Sequence, residues 1–131
     1  MSSYLQSAFS GWAGVLLFGS GLAMPYLLRR SPGATMPFLQ RMWPHYWLGY
    51  LSFFASFTHA WLAMRNGMRE INAPGVWVAT AALAAIVWQI SVGLLLRNPA
   101  QSNRRNLRRL HLWTMIVVAG LIVVHVALNR L

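Results

Sequence analysis

Four histidines, His45, His59, His111 and His125, are the residues of this 131-residue chain best suited to chemistry, and they fall into two pairs of equal interval. His45 and His59 are fourteen positions apart, as are His111 and His125. In an α-helix fourteen residues turn through about 1400°, within about 40° of four full turns, and advance about 21 Å. Each pair therefore shares one helix face and carries one imidazole towards each end of a membrane-length helix. If the two helices run in the same direction, equal intervals bring His45 level with His111 and His59 level with His125. Two neutral imidazoles about 4 Å apart, one on each side of an iron, are what a low-spin bis-histidine haem requires, and a helical bundle offers a slot for the flat macrocycle. Two pairs at two depths predict two haems stacked across a bilayer. Zinc is the competing metal, but it takes four ligands converging on one point, which a separation of about 21 Å forbids. A single membrane histidine is most often an interhelical hydrogen-bonding residue. Four of them at matched intervals favour ligation.

The rest of the composition removes other chemistries. Cysteine is absent, which excludes disulfides, thiolate metal sites, iron–sulfur clusters and covalently attached c-type haem. Glu70 is the only acid, too little for the carboxylate sets of glycosidases, zinc hydrolases or magnesium-dependent phosphoryl transfer. The formal charge of +10 comes entirely from arginine. Those arginines sit at the ends of apolar runs instead of along one amphipathic face, the distribution of loops between membrane spans and not of a nucleic-acid surface.

The elements that must position the histidines are apolar. With 57% hydrophobic and 9% charged residues, the chain departs far from a soluble composition. Four segments approach the roughly 20 residues that cross a hydrocarbon core: about 8–28, 45–64, 75–96 and 110–128. Ser31-Pro32-Gly33, Pro44, Asn66-Gly67, Ala73-Pro74-Gly75 and Arg97-Asn98-Pro99 punctuate them. Pro25 is expected to kink the end of the first span, and 38–44 to lie along the interface. The expected fold is all-α, an integral membrane four-helix bundle in one domain, 1–131. Arg29, Arg30, Arg41, Arg97, Arg104, Arg105, Arg108 and Arg109 lie in the first and third connections, against Arg65, Arg69 and Arg130 elsewhere. Eight against three puts those two connections in the cytoplasm and both termini outside, with the first helix retained and not cleaved as a signal peptide. His45 and His111 then form the inner pair, and His59 and His125 the outer one. Trp43, Trp47 and Trp113 fall near the inner interface, and Trp12, Trp61 and Trp77 near the outer one, as aromatic belts.

Around the ligands, Tyr46, Trp47, Tyr50, Phe53, Phe54, Phe57 and Trp61 line haem pockets or face lipid. Gly49, one turn after His45, and Ala79 and Gly93, fourteen apart in the third span, leave room for a porphyrin edge or for close helix contact.

The two histidine pairs on the second and fourth of four spans resemble the N-terminal haem-binding bundle of cytochrome b from quinol–cytochrome c oxidoreductases, and more loosely the membrane domain of ferric reductases and NADPH oxidases. The specific stretches are Pro44–His59 and Arg108–His125, with Arg108-Arg109-Leu110-His111 followed by His125 the nearest to the family pattern. The resemblance implies two b haems with His45, His111, His59 and His125 as axial ligands, and Arg108 or Arg109 meeting haem propionates. The paired glycines of that family's first helix are not found at fourteen-residue spacing, since Gly11 is followed at that distance by Pro25. Its C-terminal helices, its Pro-Glu-Trp-Tyr motif and any flavin or nicotinamide domain are also missing.

The function expected is transmembrane electron transfer by a di-haem b-type cytochrome subunit of a membrane redox complex, in a bacterial cytoplasmic membrane, with redox subunits or a quinone as partners. Two alternatives stand beside it. One is a free-standing quinol-oxidising or acceptor-reducing enzyme using Gln89, Ser91, Tyr50 and loop arginines, and the other is a haem-free membrane anchor.

Overall fold

Two of the long helices begin with a residue followed by proline, at Trp43-Pro44 and Ala73-Pro74, where a missing N–H costs nothing because the first amides of a helix have no internal acceptor. A computed structural model of the chain describes residues 3–30, 37–65 and 73–129. Nearly all of them are helical: α1 (Ser3–Arg30), α2 (Phe38–Arg41), α3 (Trp43–Arg65), α4 (Ala73–Arg97) and α5 (Arg104–Leu128), with no strand among the described residues. The expected turns at Ser31-Pro32-Gly33 and Asn66-Gly67 lie outside them, as do Arg69, Glu70, Arg130 and the chain ends.

The all-α expectation holds, and the four expected spans each fall inside a longer helix. α1, α4 and α5 are long and apolar enough to cross a membrane, with mean hydropathy of 1.4, 2.0 and 2.1 in their most apolar windows. α3 has the length, 23 residues, but its two histidines, two serines, Thr58 and two tyrosines keep it out of that group. Segment 38–44 divides between one helical turn, α2, and the start of α3 at Trp43-Pro44, and Arg41 of α2 donates from Nη1 to the Leu28 carbonyl of α1 at 3.4 Å. α1 runs through Pro25 without ending there. The α4–α5 connection is organised by Asn98. Its Oδ1 accepts from the Ala100 amide at 3.0 Å, and its carbonyl accepts from the Gln101 amide at 3.4 Å and Arg104 Nη1 at 3.2 Å.

The chain forms two compact units, Met1–Asn66 and Gly67–Leu131. In the first, α1 packs antiparallel on α3, and in the second, α4 packs antiparallel on α5. Their interiors are small. Ser52 on α3, Ala82, Ile86 and Val92 on α4, and Val118 on α5 are buried, with Val118 at 0% exposure. Large apolar side chains point outward instead: Phe9 is 72% exposed, Leu16 70% and Trp77 74%. Such faces suit hydrocarbon as solvent, where the backbone must satisfy itself and helices do so.

Candidate histidine site

Each histidine lies on the face by which its helix packs against its neighbour. On α3, His45, Gly49, Ser52, Ser56 and His59 recur at the four- and three-residue steps of one helical face. The middle of that stripe is polar but paired, with the buried Ser52 hydroxyl donating to the Gly14 carbonyl at 3.4 Å. At its two ends the imidazoles reach the α1 backbone. His45 Nδ1 donates to the Gly21 carbonyl at 2.9 Å. His59 Nδ1 donates to the Ser7 carbonyl at 2.8 Å, with Ser7 Oγ 3.5 Å away. A carbonyl oxygen only accepts, so Nδ1 is the donor on both rings. In metal-bound histidines the second ring nitrogen makes the same kind of bond and fixes the ring.

The sequence of α1 explains why these carbonyls are available. A helix carbonyl at position i normally accepts from the N–H at i+4. For Gly21 that position is Pro25, which has no N–H, so the carbonyl has no helical donor and His45 supplies one. Opposite His59 the adjustment is one of space. A Cβ at Gly11, four residues after Ser7, would lie 3.0 Å from both Cε1 and Nδ1 of His59. Pro25 and Gly11 are thus placed where an imidazole must approach the helix backbone.

In the second unit the same two positions are built differently. His125 Nδ1 is 3.3 Å from the Gly75 carbonyl and 3.2 Å from Asn129 Nδ2, whose amide also donates to the His125 carbonyl at 2.7 Å. These two neighbours ask for opposite tautomers, the carbonyl for a proton on Nδ1 and the amide for a lone pair. His111 meets a side chain: Gln89 Nε2 lies 3.2 Å from its Nε2. Gln89 Oε1 is buried with no partner among the described residues. A Cβ at Gly93 would stand 3.4 Å from His111 Cε1, an ordinary contact.

Of the other residues singled out, Gly49 has open space around it, so it offers room without a close contact. Gly93 does lie at a histidine. Arg108 and Arg109 are exposed in the first turns of α5, immediately before His111. Along α3 the aromatic residues meet edge-to-face, Trp43 with Trp47 at 5.5 Å and Phe53 with Phe54 at 5.6 Å, and Trp47, Phe54, Phe57 and Trp61 are exposed. Ser7, Gly21 and Gly75 were not anticipated as imidazole partners. A signal existed: Ser7 and Gly21 are fourteen apart, as are Gly75 and Gln89, the interval of the histidines they meet. Among the described residues no three His, Cys, Asp or Glu side chains converge on one point.

The chain matches no protein-family model, no curated protein and no solved structure. What its own fold defines is an all-helical membrane protein in which two helices each carry a pair of imidazoles held at a four-turn interval.

Proposed function

We propose that this protein is a di-haem b-type cytochrome that carries electrons across a membrane as a subunit of a larger redox complex. The observation that carries the reading is the donation from Nδ1 of His45 and His59 to backbone carbonyls of α1, the kind of bond by which the second nitrogen of a metal-bound histidine orients its ring. The equal interval on α5 would supply the second member of each pair, His111 to His45 and His125 to His59, one haem to each pair. The donor set fits the group: neutral nitrogen ligands, no thiolate and no carboxylate beside them.

Bound haem would supply a one-electron couple at each of two depths, dividing the roughly 30 Å hydrocarbon core into shorter steps. The chain's own residues do the rest. Gly21 and Ser7 hold the imidazoles in one tautomer and one orientation, Gly11 and Gly93 keep the helix surface low beside them, and the apolar shell excludes water. Arg108 and Arg109 place positive charge one turn from His111, where acidic haem substituents would need it. The fit is loosest at His111, where ligation must displace Gln89. With a single acid in the chain, proton coupling has few carriers, which favours electron transfer over pumping. Without cysteine the chain holds no iron–sulfur centre of its own, so electrons enter or leave through another polypeptide or a quinone.

Pyridine haemochrome analysis of the purified protein should give two non-covalent b haems per chain, and the dithionite-reduced spectrum a low-spin b-type band. Each single His→Ala change should remove about one of them. A protein that folds and carries no haem would make it an anchor subunit. For orientation, a reporter fused after Leu131 that is active only outside the cytoplasm would agree with the arginine distribution.

A further inference from the structure

Helix α5 opens with four arginines in its first six residues, Arg104, Arg105, Arg108 and Arg109, and no acid lies among the described residues to face them. At about 100° per residue they divide between two sides of the helix. Arg104 and Arg108 stand within about 60° of His111, and Arg104 donates from Nη1 to the Asn98 carbonyl at 3.2 Å. Arg105 and Arg109 turn about 120° and 160° away from His111, are exposed, and have no hydrogen bond or ion pair with any described residue. Of the two arginines nearest His111 along the axis, Arg108 is therefore the one on its side of the helix. The far side continues inward as Leu112, Trp113 and Ile116, all exposed, Trp113 at 65%. We infer that Arg105 and Arg109 together bind the phosphate of an anionic phospholipid whose acyl chains lie along Leu112, Trp113 and Ile116. The inference needs only that α5, long and apolar enough to span, crosses a membrane, and not that the histidines hold haem.

Spacing, depth and direction select that occupant. Arg105 and Arg109 are one turn apart, about 6 Å, where like charges on a helix repel and cost stability. An anion held between them turns the repulsion into two attractions, and the planar fork of a guanidinium matches the oxygens of a phosphate. Along the axis Arg109 directly precedes the apolar run that begins at Leu110, and Trp113 lies about 6 Å further in. Cation outside, indole within is the order in which a bilayer presents its headgroups and its interface. A macrocycle held by His111 is turned away from this pair, because it lies on the other side of α5. Below the arginines the same stripe runs on through Ile116, Gly120 and Val123, all exposed and apolar. Anionic head over apolar tail is the complement of that surface, whereas an acidic segment of another subunit matches only its charged end.

The test is quenching of Trp113 by brominated lipids in vesicles reconstituted with the full chain. Brominated phosphatidylglycerol and brominated phosphatidylcholine of identical chains are compared at one low mole fraction in a phosphatidylcholine host. Subtracting the Trp113→Phe variant isolates the signal of that indole. Phosphatidylglycerol should be enriched beside Trp113 by about five-fold for each arginine engaged. Arg105→Gln and Arg109→Gln should each remove about one such factor, whereas Arg109→Lys should keep most of the preference. Arg104→Gln takes the same charge from the other side of the helix and, at physiological salt, should change the preference by less than about two-fold. Equal quenching by the two lipids would overturn the proposal and leave the arginine pair to an acidic surface of another subunit. A loss in Arg104→Gln as large as that in Arg109→Gln would overturn it too, since the attraction would then belong to the diffuse charge of the turn and not to a site.

Discussion

The two helix pairs solve one problem in two ways. Where α1 meets His45 it has Gly21 followed four residues later by Pro25, and where α4 meets His111 it has Gln89 followed four residues later by Gly93. Proline removes the N–H that would occupy the Gly21 carbonyl, so the backbone itself holds the imidazole. Glycine keeps its N–H inside a continuous helix, the Gln89 carbonyl is used within α4, and the side chain at position 89 engages the ring instead. A contact made by backbone fixes the acceptor and therefore the tautomer. A contact made by an amide side chain can be donated, accepted or released. The first unit is thus built as a fixed holder of its two imidazoles, and the second as an adjustable one.

The largest effect separating the two units should come from adding one methyl group. At Gly11 the new Cβ would stand 3.0 Å from two atoms of the His59 ring, and at Gly93 3.4 Å from one atom of the His111 ring. Gly11→Ala must push the imidazole or part the helices, costing about 1–3 kcal/mol as overpacking does. It should also remove one haem per chain. Gly93→Ala should leave both haems in place and change stability by less than about 0.5 kcal/mol. Thermal unfolding and haem stoichiometry in one detergent compare them directly. Equal losses would mean that the two units hold their histidines alike.

Next in size is Pro25→Ala. A new N–H at position 25 competes for the Gly21 carbonyl, so His45 should lose its exclusive acceptor while α1 gains a hydrogen bond. The expected outcome is a more stable protein with a poorer site. Retention of the haem assigned to His45 should fall about 2- to 12-fold, the equivalent of one net hydrogen bond. Nitrogen NMR of the imidazole should show the Nδ1–H form of His45 losing population. A stable variant with an unchanged His45 spectrum would remove Pro25 from the account.

Gln89→Leu tests the adjustable side with the opposite sign. The amide engages the nitrogen by which His111 would ligate, and its Oε1 is buried without a partner among the described residues. Leucine removes the competitor and the orphaned acceptor together and leaves His111 Nε2 to be satisfied by its ligand. One haem should bind more tightly, again by about 2- to 12-fold, with the other unaffected. Weaker binding would show Gln89 to be a support of His111 and not a rival.

The same contrast explains what could be read from the chain alone. Helices were legible because apolar runs, prolines at their starts and Asn98-Pro99 are local signals, and the histidine pairs were legible because an interval needs no knowledge of packing. The apolar span begins at about 110 and α5 six residues earlier at Arg104, because Arg104 to Arg109 are too polar for a span. They are good helix formers all the same, and a helix can begin outside the apolar segment. Backbone acceptors were hidden for a different reason: a carbonyl carries no residue identity. Gly11 is followed at fourteen residues by Pro25, which in the sequence reads as a broken pattern of paired glycines. It was the pattern displaced by one turn, since a carbonyl at i is approached over residue i+4. Gly11 covers the approach to Ser7, and Pro25 frees Gly21.

The smallest effect is expected at the last turn of α5. Asn129 Nδ2 donates to the His125 carbonyl at 2.7 Å and stands 3.2 Å from His125 Nδ1, while the Gly75 carbonyl claims the same nitrogen from 3.3 Å. Removing the amide takes away the neighbour that favours a lone pair on Nδ1, so Asn129→Ala should shift His125 towards the Nδ1–H tautomer already held by His45 and His59. The helix end loses one exposed side-chain contact, worth about 0.5–1.5 kcal/mol at most, and the backbone bond from the Asn129 amide to the His125 carbonyl at 3.2 Å remains. Stability should therefore fall by less than about 1.5 kcal/mol with both haems retained, while the nitrogen spectrum of His125 moves towards that of His59. If the spectrum stays where it was, Gly75 already controls the ring, and His125 in the second unit is held as firmly as His59 in the first.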